Sequence, residues 1–79
     1  MNITEIKMRR KENHGRLKAV VCLIIDGDYA MNDVHIIQGD HGLFVSFPHW
    51  EDGRSVFAPL NHQARQKIEN TILQAYRTR

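Results

Sequence analysis

The chain has 79 residues, a formal net charge of +2 and a single cysteine. That length supports one domain, residues 1–79; it buries only about 60–65% of its unfolded surface, so help from a partner subunit is expected. An internal disulfide is excluded, and no apolar run approaches the roughly 18–20 residues that span a membrane.

The opening MNITEIK lacks an apolar h-region and predicts no signal peptide. In ITEIKMRR, residues 3–10, Ile6 and Met8 fall on one face while Glu5, Lys7 and Arg9 fall on the other. That period of two marks a half-buried strand. KENHG reads as a turn, with Gly15 free to take a positive φ. RLKAVVCLIID begins with alternation and becomes continuously apolar. It predicts a second strand whose far half is covered on both faces, by a central place in a sheet or by a second subunit. Cys22 lies in this run and reads as a buried small hydrophobe.

The DGD of residues 26–28 is a hairpin signal. YAMNDVHIIQ is a third strand, GDHG a turn, and LFVSF a fourth strand stopped by Pro48, which has no N–H for a ladder. In the loop that follows, SVFA offers a short fifth strand. Asn61 is a suitable helix N-cap after Pro59. Ala64, Ile68, Thr71, Ile72 and Ala75 recur on one helical face, and Arg77 and Arg79 complement the helix C-terminus. Leu73 falls roughly 140° from the middle of that stripe. It is either one exposed leucine or the mark of a second surface, with Tyr76 nearby. Together these elements predict an α+β fold: an antiparallel sheet of four to five strands with a C-terminal helix, as a homodimer.

Charge is segregated along the chain. Lys7, Arg9, Arg10, Lys11, Arg16 and Lys18 are six of the eleven Lys and Arg residues, whereas residues 26–52 carry none and hold six carboxylates. If Arg10 and Arg16 meet across the first turn, Lys7, Arg9 and Lys18 join them in one patch. Like charges on paired strands repel, a cost that suits an anionic neighbour. An edge strand guarded by Lys and Arg against aggregation accounts for the same residues.

Gln63, Gln66, Asn70, Gln74 and Arg77 share the helix face opposite the apolar stripe, flanked by Arg65 and Lys67. Amides can read adenine and Arg guanine, with Arg65 and Lys67 on phosphates. A solvated face of good helix formers is the plain alternative. The five histidines show no metal spacing, and turn chemistry accounts for Asp26, Asp28 and Asp40. No metal, cofactor or catalytic residue is therefore predicted. Asp33, inside a strand, is expected to bond to backbone or to an arginine. Phe47 shares parity with Leu43 and Val45 and predicts core; Phe44 faces the other way with Ser46, toward a dimer contact.

KMRR, GRLKAVVCLIID, NDVHIIQGDHGLFVSFP and APLNHQARQKIENTILQAY together cover nearly the whole chain. In this order they resemble the stage V sporulation protein G (SpoVG, septation regulator) family of bacteria. The match rests on GLFV followed two residues later by Pro, then on P-L-N, R-x-K-I and L-x-x-Y. The departure follows Pro48. Family members usually carry P-S with one or two basic residues and a longer loop ending in D-G. Here PHWEDG is shorter and acidic, with no Lys or Arg before Arg54. His49 and Trp50 offer stacking there in place of charge.

The resemblance implies a small α+β dimer that binds nucleic acid, chiefly DNA with RNA as a further target, with some sequence preference. It also implies regulation of gene expression in septation, sporulation or envelope functions. With the charge pattern, it gives Lys7, Arg9, Arg10, Arg16, Lys18, Arg54, Arg65, Gln66 and Lys67 as the expected nucleic-acid-binding residues. No small-molecule substrate and no membrane are expected, and the location is cytoplasmic, at the nucleoid. The alternative is a non-catalytic interaction module whose basic patch docks an acidic protein.

Overall fold

Alternating apolar residues and tight turns lay down four strands in a simple meander. A computed structural model describes residues 2–78. Met1 and Arg79 lie outside the described residues, and with Arg79 its expected part in the helix end. The strands are β1 (Ile3–Lys11), β2 (Leu17–Ile25), β3 (Tyr29–Gly39) and β4 (Gly42–Ser46), and one helix, α1 (His62–Arg77), follows. The sheet order is β1-β2-β3-β4, every pair antiparallel. This is the expected α+β architecture, with four strands rather than five. SVFA forms no strand: Ser55 makes an isolated bridge to His49, and Phe57 turns inward with its ring centroid 5.1 Å from that of Phe47.

The turn between β2 and β3 is built by Asp26 and Gly27, both at positive φ (55° and 73°), and closed by Asp28 N–H donating to the Ile25 carbonyl. Asp and Gly tolerate that conformation best, which is why DGD predicts it. Asp33 also has positive φ, 60°, where β3 carries one extra residue against β2. It is the pivot of a β-bulge. The expected side-chain bond is absent: among the described residues no hydrogen bond or ion pair reaches the Asp33 carboxylate. Its contribution is its backbone conformation, which Asp adopts more readily than β-branched residues.

The core lies between the helix and one face of the sheet. Ala19, Val21 and Leu23 of β2, Val34 and Ile36 of β3, and Val45 of β4 are fully buried there. Ile68, Ile72 and Leu73 enter from the helix. Leu73 is thus covered by its own chain, beside Leu43, and neither an exposed leucine nor a second subunit is needed to explain it. The buried arc is rotated from the stripe toward Leu73, with Glu69 and Tyr76 half-buried, while Ala64 and Thr71 stay exposed.

Asn61 is the N-cap, its side-chain oxygen accepting from Ala64 N–H at 2.8 Å. Replacing Asn61 with alanine is expected to cost about 0.5–2 kcal/mol. A thermal melt should show it as a drop of about 4–8 °C in Tm per kcal/mol lost. An unchanged Tm would mean that the cap contributes nothing.

Candidate nucleic-acid interface

β1 is an edge strand, so its cations meet solvent on the rim of the sheet. Its register decides where each points. Lys7 stands opposite Cys22, Arg10 opposite Val20, and Lys11 opposite Ala19, with a register shift between Met8 and Arg10. Each β1 cation with a defined partner therefore faces an apolar residue, and the expected cross-strand repulsion does not arise. The shift re-aims the side chains. Lys7 and Arg10 project from the face away from the helix, with Cys22 and Val20. Lys11 projects on the helix side, its Nζ 5.1 Å from the Tyr76 ring centroid. Arg9 sits at the shift and is exposed.

The first turn is closed by Glu12 N–H donating to the Lys18 carbonyl at 2.8 Å. Arg10 is bound by Glu12, its Nε at 3.0 Å from Oε1. Arg10 and Arg16 do not face each other. Arg16 reaches instead to the turn between β3 and β4, with Nη2 at 3.0 Å from Asp40 Oδ1 and Nη1 at 3.4 Å from the Gln38 carbonyl. A basic turn and an acidic turn, separate in sequence, thereby share one end of the sheet.

The residues after Pro48 form a small hairpin of their own. Trp50 N–H donates to the Arg54 carbonyl at 2.7 Å, and Val56 N–H to the Pro48 carbonyl at 3.0 Å. Arg54 Nε lies 2.7 Å from Asp52 Oδ2, so the acidic loop neutralises the first cation that follows it. Trp50 stays 59% exposed.

The helix divides its polar residues. Arg65 serves the sheet: Nη2 donates to the Val45 carbonyl at 3.0 Å, and Nε lies 3.0 Å from Glu69 Oε1. Glu69 Oε2 accepts the Val45 N–H at 3.0 Å. Both backbone groups of one β4 residue are thus held by two side chains one helical turn apart. Gln66 shares this side of the helix, by Leu43 and His62, whereas Lys67 lies on the other side, by Asn2 and Ile3. The start of the helix adjoins the start of β1, and Tyr76 near the helix end adjoins Lys11 at the end of β1.

The nine expected residues therefore do not form one patch. The structure gathers Arg9, Arg10, Arg16 and Lys18 around the first hairpin, with Lys7 along β1. It sets Arg65, Gln66 and Lys67 at the opposite end of the helix, on two sides of it, and Arg54 in the loop hairpin.

The family model for SpoVG matches residues 1–78. The chain belongs to the SpoVG family. It is 39% identical over 99% of its length to a protein of Agathobacter rectalis named as septation protein SpoVG, covering 94% of that protein. It is 40% identical over 96% of its length to septation protein SpoVG 1 of Listeria monocytogenes serotype 4b, covering 78% of it. A third SpoVG septation protein, from Exiguobacterium sibiricum, is 37% identical over the whole chain, 81% of that protein being covered.

Within this SpoVG chain, four arginines have carboxylate partners: Arg10, Arg16, Arg54 and Arg65. Lys7, Arg9, Lys18 and Lys67 have no ion pair among the described residues. Exposed pairs such as Arg16–Asp40 are worth about 0–1 kcal/mol, so a phosphate can take over the guanidinium at small cost. Lys11 belongs with the hairpin group although the expected set omits it. Strand alternation places it with Arg9, and only the register shift after Met8 sends it toward Tyr76. No helix among the described residues is long and apolar enough to cross a membrane.

Proposed function

We propose that this SpoVG-family chain binds nucleic acid, chiefly DNA, through its first hairpin, as a homodimer without catalysis. Its role is regulation of gene expression in septation or sporulation, the first of these carried over from the relatives' names. Its place is the cytoplasm, at the nucleoid. The observation that carries the reading is the hairpin itself: Lys7 and Arg9 on the edge strand β1 and Lys18 at the start of β2 have no ion pair among the described residues, beside Arg10 and Arg16 in weak, exposed pairs. Neutralising phosphates with such cations releases counterions and makes affinity fall with salt.

Fluorescence anisotropy with a labelled duplex at several salt concentrations tests this. Arg9→Ala and Lys18→Ala are each expected to reduce the log–log salt slope by about 1. Arg65→Ala should leave the slope unchanged, because its guanidinium is committed to Val45 and Glu69. No duplex binding even at low salt would overturn the reading and favour an acidic protein as the partner. Cleavage of the duplex that a chelator stops would overturn the non-catalytic part.

A further inference from the structure

The basic hairpin carries anions of its own. Glu12 holds Arg10, whose Nε lies 3.0 Å from Oε1, and Asp40 holds Arg16, whose Nη2 lies 3.0 Å from Oδ1. We infer that these two acids set how firmly the hairpin holds a polyanion. Each occupies an arginine in the free chain, and a phosphate reaches that arginine only by displacing the carboxylate. The inference rests on the nucleic-acid reading and gives a role to two residues which that reading leaves out.

Three observations carry it. The first is chemical. Carboxylate and phosphate both offer a guanidinium anionic oxygen acceptors, so they compete for the same N–H groups. The second is placement. Glu12 is fixed by the turn itself, where its N–H donates to the Lys18 carbonyl at 2.8 Å. Asp40 arrives from the turn between β3 and β4, 24 positions from Arg16, because the meander returns its first and third turns to one end of the sheet. Gln38 N–H donates to the Arg16 carbonyl at 2.8 Å, which keeps Arg16 within reach of that turn.

The third is exposure. The Arg16 and Asp40 side chains are 69% and 81% exposed, those of Arg10 and Glu12 62% and 37%. A pair so wet shifts an equilibrium by no more than about fivefold. It weakens binding without preventing it. Arg65 is the contrast: its partner Glu69 is only 19% exposed, and its guanidinium also donates to the Val45 carbonyl, so it is not available for release. The hairpin thus has two grades of cation. Lys7, Arg9 and Lys18 have no ion pair among the described residues, whereas Arg10 and Arg16 engage only after an exchange of anions.

Fluorescence anisotropy with a labelled duplex, on the full chain at about 0.1 M salt, tests the inference. Asp40→Asn and Glu12→Gln should each tighten binding by about two- to fivefold, with an unchanged circular-dichroism spectrum. Asp28→Asn removes the same charge at the other end of the sheet. The nine residues of β2 put it roughly 26 Å away, well beyond the Debye length of about 10 Å, so affinity should not change. In an Arg16→Gln background, Asp40→Asn should lose its effect, because the group it competes for is gone. Should Asp40→Asn unfold, Glu12→Gln in an Arg10→Gln background runs the same cycle. A wild type that binds no duplex overturns the nucleic-acid reading and this inference with it. Duplex binding that neither Asp40→Asn nor Glu12→Gln tightens overturns this inference alone. So does a gain that persists without Arg16, or one that Asp28→Asn matches, since either would be an effect of net charge.

Discussion

Replacing Ile72 with alanine is expected to cost about 2–5 kcal/mol, the range for losing a large buried aliphatic side chain together with the cavity left behind. Ile72 is fully buried, and it is the one helix residue of which no surface reaches water. The helix is held to the sheet chiefly by Ile68, Ile72 and Leu73, without a second helix to share the load. A domain of this length has about 4–12 kcal/mol of stability in all, so the loss approaches a large part of the total. Urea unfolding followed by circular dichroism should show a much lower midpoint with an unchanged slope. Ile72→Val, which removes a single methylene, should cost only about 0.5–1.5 kcal/mol. A loss below about 1 kcal/mol for Ile72→Ala would mean that the helix is not the other half of the core.

Glu69→Ala is expected to cost about 1–3 kcal/mol for a different reason. No large cavity opens. What is lost is the acceptor for the Val45 N–H, a part-buried donor that is then left without a partner. The Arg65 guanidinium loses its carboxylate in the same step. Glu69→Gln keeps an oxygen in position and should retain most of the stability. Because Arg65 and Glu69 serve the same residue, Arg65→Ala and Glu69→Ala should not add in a double-mutant cycle. Strict additivity in urea unfolding would show that the two side chains act independently.

Much of the fold is legible in the sequence because local chemistry writes it. Asn61 announces the helix start through a bond made three residues away, and Asp26-Gly27 announces a turn through a backbone angle few other residues accept. Pro48 closes the fourth strand by what it lacks. What escapes is set by packing at a distance. The extra residue at Asp33 cannot be read, since nothing in NDV distinguishes a bulge from a regular strand. Leu73 is misplaced by an ideal helical stripe because the rotation at which a helix settles onto a sheet decides which arc it buries, and here Ala64 and Thr71 are turned out as Leu73 is turned in. Phe57 looks like part of a strand until Phe47 offers it a ring to pack on.

The candidate site is less legible than the fold. Sequence shows that cations cluster between residues 7 and 18 but not which of them are spoken for. Arg16 finds Asp40 across 24 positions, and Arg65 finds the Val45 carbonyl across 20. Neither distance in sequence carries a local signal. The register shift after Met8 likewise puts Arg10 on the face of Lys7 and Lys11 on the helix side, the reverse of what alternation assigns.

The grip of Arg65 and Glu69 on Val45 also bears on how this molecule avoids fibrils. A sheet margin with free donors and acceptors is a template on which extended segments of other molecules can grow without limit. Here Val45, the fourth of the five residues of β4, has both its groups occupied from within, so an incoming segment would find the ladder interrupted. Accretion from that side is blocked, which leaves closed, countable assemblies as the ones this architecture tolerates.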